Sequence, residues 1–572
     1  MKNREISDLF EQMADLMEIQ GETGFRVNAY RRASRALDSL QEDVAELRRE
    51  GRLQDIAGIG EATAKKIGEY LDTGVVARHQ ELLAKVPPGL LELLQVPGLG
   101  PKSAAMLHRE LQIRTLDELR LALEQGRLAG LPGMGEKKIE NLSKGLAFRA
   151  TSGGRVALGV AFAVVAEMLA ALRRAVPGVD LTPAGSLRRM RETVGDLDLL
   201  AATAEPRRVL DAFVALPQVR EVLAHGDTKA SVRVERGLQV DLRAVPPESY
   251  GAAMQYFTGS KEHNVRLRDR AKRMGLKINE YGVYRGEERV AGATEEECYR
   301  VLGLPFIPPE LREDRGELDA AEAGTLPVLL EPGDIKADLH CHTRASDGEL
   351  TVEQLADEAL KRGYTYTAVT DHSASAGYAG GLNAERLLEH AAAVRAFNRK
   401  QTKIRLLAGT ESDIRGDGSL DYPDEVLAQL DWVVASIHSS FGKDPTGRMV
   451  KALEHPATCV LGHPSGRLIL EREAYEVDWE RLFKAAAAGG KAIEINAHYM
   501  RLDLDDMRAR RARDMGVAIV INTDMHRPGE FDMMRFGVGV ARRAWLTAAD
   551  VLNARSFGEF EKWRTALRKA PA

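Results

Sequence analysis

The chain reads as a multidomain protein with a helical N-terminal region, an α+β middle and a C-terminal α/β barrel-like domain. Three observations carry that reading. Its 572 residues exceed what one hydrophobic core can serve. Before residue 150 the apolar spacing is helical, and from 336 onward strand-like runs alternate with Ala- and Arg-rich helices, the pattern of a parallel sheet. A composition of 44% hydrophobic and 29% charged residues supports folded cores and excludes a disordered or fibrous chain. No run of about 18 uncharged apolar residues occurs, so no membrane span is expected. The charged start MKNREISDLFEQM lacks the apolar centre of a secretory signal. Cys298, Cys341 and Cys459 are too scattered for a disulfide framework or a CxxC zinc site. A cytoplasmic protein of the reducing compartment is expected.

The helical region shows heptad-like spacing in ISDLFEQMADLMEI and ALDSLQEDVAELRREG. Within it one pattern recurs three times, as IAGIGEATAKKI (56–67), VPGLGPKSAAML (96–107) and LPGMGEKKIENL (131–142). Each is a glycine, an apolar residue and a second glycine, followed by a polar or basic stretch that opens a helix. The pairs are Gly58/Gly60, Gly98/Gly100 and Gly133/Gly135. Glycine permits positive φ and close approach of the backbone to a ligand, and the next helix presents unpaired N–H groups to a phosphate oxygen. This is the helix-hairpin-helix grip on a nucleic-acid backbone, with Lys65, Lys66, Lys102, Lys137 and Lys138 close behind for attraction without base specificity. A tight interhelical turn is the plainer alternative for any one copy. Global charge does not assist: residues 1–150 carry 22 basic and 23 acidic groups, and 151–320 carry 25 of each. Contacts to nucleic acid must come from local patches or backbone amides.

From 151 to 245 a helix (VALGVAFAVVAEMLAALRRAV) precedes the strand-like runs TVGDLDLLAA, ASVRVER and GLQVDLRAV. On a strand, Asp196 and Asp198 share one face while Leu197 and Leu199 take the other. Like-charged neighbours repel unless cations lie between them. A later strand supplies Asp241. Three carboxylates suit two Mg²⁺ or Mn²⁺ ions that activate an attacking oxygen and stabilise a leaving one. Gly185 and Ser186, with Arg188 or Arg189, would cradle a triphosphate.

GS…GDLD with a downstream Asp resembles the nucleotidyltransferase palm. Together with YFTGS (256–260) and LKINEYGVY (276–284), it resembles a family X DNA polymerase over residues 1–320. The resemblance implies metal binding by Asp196, Asp198 and Asp241, with Asp241 assisting deprotonation of the primer 3′-OH. It implies triphosphate contacts from Gly185, Ser186 and Arg189, a sugar pocket shaped by Tyr256, Phe257 and Gly259, and Asn264 at the minor-groove edge of the incoming base pair. Residues 261–278, with seven basic and two acidic groups, form a patch suited to the template strand. Gln239 stands where the vertebrate repair enzyme of the family has Arg, and Lys261 where it has an acidic residue. The family's lyase lysine falls at Lys66, where a plain phosphate contact is the other reading.

Nine of the thirteen histidines lie beyond residue 335. In DLHCHTRASDG, His340 and His342 alternate on a strand so that both rings face one side, Cys341 faces the other, and Asp347 follows in the next loop. TDHS adds His372, GTES Glu411, SIHS His438, LGHP His463, and NTDMHRP Asp524 and His526. Each lies just after a β-rich run, where barrel loops gather. Nine such groups suit three metal ions of the Zn²⁺, Mn²⁺ or Fe class. The pattern is similar to the PHP (polymerase and histidinol phosphatase) domain over 336–572, whose nine ligand positions are filled. It implies a distorted TIM-like barrel and metal-dependent phosphodiesterase or phosphatase chemistry. Cys341 is expected to be a spacer and Asp371 to orient the His372 ring. His390, His455 and His498 are given no role.

The expected division is 1–80 helical lyase-like domain, 81–150 fingers with two hairpins, 151–245 palm, 246–320 thumb, 321–335 linker and 336–572 PHP domain. The reading that follows is gap-filling synthesis from dNTPs on gapped or primer-template DNA in base excision repair. The C-terminal domain would act as a 3′–5′ exonuclease or 3′-end processor, with incision of abasic sites as a further activity. A monomer without membrane association, near the nucleoid, is expected. The alternative is a PHP phosphoesterase delivered to damaged DNA by a non-catalytic polymerase-like module.

Overall fold

A computed structural model describes residues 2–569, apart from 23, 39, 41–43, 57, 95, 97–98, 136–137, 141, 144–145 and 147–154. The chain divides into two compact units, Met1–Gly153 and Gly154–Ala572.

The first unit is helical. Ile6, Phe10, Met13 and Met17 recur at helical spacing on Asn3–Ile19 and are buried against the helix Phe25–Asp38. Arg31 crosses between these helices, pairing with Asp15 at 2.8 Å and Glu18 at 2.9 Å. Val76, Leu82, Val86 and Leu90 straddle the boundary expected at residue 80 and belong to one core running from Ile6 to Leu146. The stretches expected as a lyase-like domain and as fingers therefore share a single core.

The second unit begins with a five-stranded sheet in the order Asp180–Pro183, Asp196–Ala202, Gln239–Val245, Lys229–Arg233, Glu221–His225. Its two faces are separated by strand alternation. Leu197, Leu199 and Ala201 join Val165, Met168 and Phe213 in the large core on the side of the helices Leu158–Ala175 and Pro206–Val214. Leu200 lies on the opposite face with Ala253 and Met254 of the helix Tyr250–Thr258. The helix Lys261–Arg273 and a three-stranded antiparallel sheet (Lys277–Asn279, Gly282–Arg285, Glu288–Ala291) follow around their own core of Leu267, Ile278, Val283 and Tyr299. Strands of three or four residues carry too few alternations to announce themselves in sequence.

From Ala337 onward seven strands pair in chain order, all parallel: Ala337–Asp338, Tyr366–Val369, Arg405–Asp413, Trp432–Ser436, Val460–Leu461, Ala492–Asn496 and Ala518–Asn522. All seven coincide with runs expected from sequence. The sheet curls into a nearly closed barrel, because Cys341 bridges Met525 across the first and last strands. Buried Asn553 fills the rest of the seam. Its Nδ2 donates to the carbonyls of Ala337 (2.8 Å) and Ile521 (2.5 Å), and its Oδ1 accepts from Ile521 N at 3.0 Å.

The stretch expected as a linker is a packed segment. Glu317–Ala323 is helical, Leu329, Leu330 and Ile335 are buried, and Leu330 N donates to Leu546 O at 3.0 Å. Its apolar residues lack periodicity because they enter the core singly from an irregular backbone.

Asn553→Ala leaves three buried backbone groups unpartnered at the seam, each costing about 1–3 kcal/mol. Thermal or denaturant unfolding is expected to show a loss of roughly 3 kcal/mol or more.

Candidate active sites

In the first unit the hairpins repeat one local geometry. Ile59, Leu99 and Met134 are buried while Gly58, Gly60, Gly100, Gly133 and Gly135 are exposed. The buried apolar residue anchors each turn and leaves the described glycines facing solvent. Gly60 and Gly100 are the N-caps of Glu61–Thr73 and Pro101–Leu111, and nothing lies within 4 Å of a Cβ built on Gly60, Gly100, Gly133 or Gly135. A ligand backbone could approach these glycines without obstruction, although the Gly60 N–H already donates to Thr63 Oγ1 at 2.9 Å. Gly98 and Lys137 lie outside the described residues. Lys65 is 81% exposed at 3.8 Å from Glu61, and Lys102 is exposed. Lys66 Nζ donates to Ala62 O at 3.2 Å and lies 5.7 Å from the Tyr30 ring centroid.

In the palm, Asp196–Ala202 and Gln239–Val245 run parallel, with Asp198 opposite Asp241 and Asp196 opposite Gln239. Register and alternation put the three carboxylates on one face. Gly185 has φ of 63°, and a Cβ there would lie 2.6 Å from Asp198 Oδ2, so only glycine lets the Gly185–Ser186 turn approach the carboxylate. Burial, then repulsion from Asp196 and Asp241, pushes the Asp198 carboxyl up to about 6. Burial also opposes ionisation of Asp241, but Lys229, Gln239 and Ser231 hold it below the ordinary value. Lys229 Nζ lies 2.5 Å from Asp241 Oδ2, and Gln239 Nε2 donates to its Oδ1 at 2.9 Å. Lys229 was not anticipated: a lysine in a run ending ASVRVER looks like any solvated strand residue, and only the register brings it to Asp241.

A cleft of about 820 Å³ opens over these groups. Gly185, Ser186, Arg189, Asp196, Asp198, Tyr256, Phe257, Gly259 and Asn264 all line it, joined by Arg155, Arg191, Lys261 and Arg268. Asp241 does not line it. Arg188, one of two arginines expected at a triphosphate, is tied to Glu295 Oε2 at 2.5 Å and Thr258 Oγ1 at 2.7 Å. Asn264, expected at a base-pair edge, turns its amide inward: Oδ1 accepts from Gln255 at 2.7 Å and Nδ2 donates to Tyr256 O at 2.7 Å. Phe257 carries the Arg243 guanidinium 4.4 Å from its ring centroid.

At the C-terminal ends of the barrel strands, Glu411 is central. It lies 2.8 Å from His372, 2.9 Å from His463, 3.3 Å from His438, 3.4 Å from His340 and 3.7 Å from His342. Asp524 approaches His342 at 3.1 Å and His340 at 3.5 Å; Asp347 approaches His526 at 3.4 Å, His372 at 3.7 Å and His342 at 3.9 Å. The nine groups thus form one connected cluster. Three sets within it have donor atoms all within 4.8 Å of one another: His342, Asp347, His372 and His526; His340, His342, Glu411 and Asp524; and His372, Glu411 and His438. Among the described residues such sets occur only here.

The protons these groups demand cannot all be met together. Burial opposes charge on His340, yet Glu494, Asp524 and Glu411 raise it well above the usual imidazole value, whereas burial and the neighbouring His526 and His372 push His342 down to about 4. Several buried atoms, including His342 Nδ1, His463 Nδ1 and Glu411 Oε2, have no hydrogen-bond partner. Metal cations satisfy such a donor set where protons do not. His463 and Asp524 adopt φ of 25° and 55°, a strained backbone for non-glycine residues at a functional site.

Three supporting groups differ from expectation. Asp371 does not orient His372; it accepts from Thr343 N (2.8 Å), Thr343 Oγ1 (2.7 Å), Ser346 Oγ (2.6 Å) and lies 2.9 Å from His390 Nε2, anchoring the loop that leads to Asp347. Adjacency in sequence misled, because neighbouring strand-end residues point apart. Glu494 fixes His340 Nδ1 at 2.8 Å, and Asp413 fixes His438 Nδ1 at 2.7 Å. Glu494 is a charged residue between two isoleucines in AIEIN, which was the available signal for it.

The geometry defines a protein with two separate sites, a metal-donor cluster at the barrel mouth suited to phosphoester chemistry and a cleft lined by Asp196 and Asp198. Comparisons narrow the class. Residues 1–76 match the helix-hairpin-helix domain, 90–147 the SAM-like helix-hairpin-helix tandem, 253–313 the DNA polymerase beta thumb and 338–498 the PHP domain. The chain is 40% identical to DNA polymerase/3′-5′ exonuclease PolX of Bacillus subtilis (strain 168), covering 98% of this chain and 99% of that one. It is 26% identical to DNA polymerase lambda of Rattus norvegicus over 54% of this chain and 56% of that protein. A probable phosphatase of Thermoanaerobacter sp. (strain X514) is 30% identical over 38% of this chain and 89% of its own. The chain belongs to the PolX family, family X DNA polymerases that carry a C-terminal PHP domain. Asp524 and His526 lie beyond the matched PHP stretch but complete the same cluster.

The raised Asp198 value has a signed consequence. Between about pH 4 and 6 the unfolded chain has lost this proton while the folded one keeps it, so stability falls as pH rises through that window. In EDTA, Asp198→Asn should be more stable than the parent above pH 6 by roughly 3 kcal/mol, the gain vanishing below about pH 4. Thermal unfolding across pH checks this.

Proposed function

We propose that the chain fills short gaps in DNA by nucleotidyl transfer in the palm and removes 3′-terminal nucleotides or blocked 3′ ends in the PHP domain. The observation that carries the reading is the coexistence of two donor sets in one folded unit. Asp196, Asp198 and Asp241 lie on adjoining strands under a cleft, and nine His, Asp and Glu groups cluster at the barrel mouth.

In the palm the three carboxylates would hold Mg²⁺ or Mn²⁺, which when bound supplies Lewis acidity and charge neutralisation for in-line displacement. Asp241 is kept ionised by Lys229 and Gln239, which engage both its oxygens, so to act as ligand and as acceptor of the primer 3′-OH proton it would exchange these partners for the metal and the primer. Ser186 Oγ and the cations of Arg189 and Arg191 line the cleft where a triphosphate would lie. The edge-to-face pair Tyr256–Phe257, with centroids 5.0 Å apart, borders the sugar. The barrel donors suit three divalent ions of the Zn²⁺, Mn²⁺ or Fe class, which when bound supply the nucleophile for phosphoester cleavage. Glu494 and Asp413 hold the His340 and His438 rings in the orientation that presents Nε2 to the centre.

The hairpins grip duplex backbone on either side of the gap at their exposed glycine turns, with Lys65, Lys66 and Lys102 adding attraction. Base excision repair in the cytoplasm, by a monomer close to the nucleoid, fits these partners. Incision at abasic sites is the further activity the barrel chemistry suits.

On one-nucleotide-gapped DNA with Mg²⁺ or Mn²⁺, Asp198→Ala is expected to lower extension at least a thousandfold while sparing 3′ degradation, on the order of what loss of a metal ligand removes. The double change His342→Ala with His438→Ala should do the reverse. Loss of both activities from either folded variant would refute two independent sites.

A further inference from the structure

The polymerase cleft and the barrel domain meet at one small charged cluster. Arg189, Met190 and Arg191 follow the short helix Gly185–Arg188, and Arg189 and Arg191 line the cleft. Behind them lies the barrel helix Met534–Arg543. A Cβ on Gly539 would lie 2.5 Å from the end of the Met190 side chain, so this helix fits directly against the 189–191 turn. At its end Arg543, only 4% exposed, donates Nη1 to the Arg189 carbonyl at 2.8 Å.

The same Arg543 Nη1 donates to Glu313 Oε1 at 2.8 Å, while its Nη2 pairs with Asp506 at 2.7 Å. Glu313 is also approached by Arg189 Nε at 3.0 Å and by Arg191 Nη1 at 3.7 Å. Asp506 takes a second cation, Arg315, at 2.8 Å. Four guanidiniums therefore face two carboxylates, and the uncompensated positive charge lies on the cleft side, at Arg189 and Arg191. One carboxylate divided among three cations holds each less tightly than it would hold one alone. A polyanion entering the cleft competes for Arg189 and Arg191 against a Glu313 already occupied from behind.

We propose that Arg543, supplied by the barrel domain, is a positioning residue for nucleotidyl transfer. It pins the 189–191 turn and shares Glu313 Oε1 with Arg189, weakening the carboxylate's hold so that Arg189, whose Nη1 also donates to the Thr258 carbonyl, and Arg191 can be given up to the triphosphate of an incoming nucleotide. This rests on the reading that the cleft binds a nucleoside triphosphate. Without Arg543, the Glu313 charge is left to Arg189 and Arg191 alone and holds them more tightly, and the Arg189 carbonyl loses its donor. Synthesis is then tuned by a side chain of the domain that carries the opposing activity.

The test is steady-state extension of one-nucleotide-gapped DNA by the full chain, with the dNTP varied, alongside 3′ degradation by the same preparations. Arg543→Gln should raise KM for dNTP about tenfold, the effect of one charged hydrogen bond. Its kcat, its KM for gapped DNA and its 3′ degradation should change less than about threefold, which a general loss of structure would not permit. Adding Glu313→Gln to Arg543→Gln should bring the dNTP KM back toward the parent value, because no carboxylate remains to sequester Arg189. If Arg543→Gln does not fold, Arg543→Lys decides the matter: it keeps the charge but cannot serve the carbonyl and both carboxylates at once, so a KM rise of about threefold is expected. An unchanged dNTP KM in a folded Arg543 variant, a parallel fall of both activities, or failure of Glu313→Gln to restore KM would overturn the proposal. If the unmodified protein does not extend the primer, the triphosphate reading falls with it.

Discussion

Charged groups crowded where water cannot screen them set the terms for the rest of this structure. Two like charges on adjoining strands repel, and neither desolvation nor neighbouring dipoles relieve them. The palm meets this with Asp198 resisting ionisation while Lys229 neutralises Asp241. The barrel meets it by surrounding Glu411 with five imidazoles. In both places the local arrangement is poor for a protein alone and suited to a protein with divalent cations. Ordinary hydrophobic cores of Leu, Val and Ala beneath each site hold such groups together.

How the backbone delivers these groups differs between the two sites. In the palm, parallel pairing of Asp196–Ala202 with Gln239–Val245 fixes Asp198 opposite Asp241, and a slip of one residue would turn either carboxylate to the wrong face. In the barrel, every strand sends a ligand or the support of one to the same rim, so closure is the decisive event. Cys341, Met525 and Asn553 accomplish it at the seam. The supporting carboxylates Glu494, Asp413 and Asp371 then settle which ring nitrogen or which loop faces the centre. Arg543 extends the same logic between the two sites, since an arginine of the barrel shares its charge with the carboxylate beside the palm arginines.

Much of this was legible from the residues in order. Six of the seven apolar runs lead into a His, Asp or Glu ligand and so announce the barrel and its ligands together, because a strand's length and the loop that follows it are local properties. The spacing of Asp196 and Asp198, and the three glycine pairs, are equally local. Less legible were the short strands at 277–291, the packed segment at 321–335 and the unity of the helical core across residue 80, where apolar residues act singly or at long range. Asp371 misled because its neighbour in sequence is not its neighbour in space.

By itself the sequence determined which chemical groups are present and on which face of which local element they lie, since alternation along a strand and the left-handed turns of glycine depend on a few consecutive residues. Only the tertiary structure decided which charges meet: that Lys229 answers Asp241, that Glu494 holds His340, and that Arg543 reaches Glu313 across 230 residues. The reason is the steep dependence of electrostatic energy on distance and burial, quantities that strand register, helix packing and barrel closure set jointly and that no single stretch of chain encodes.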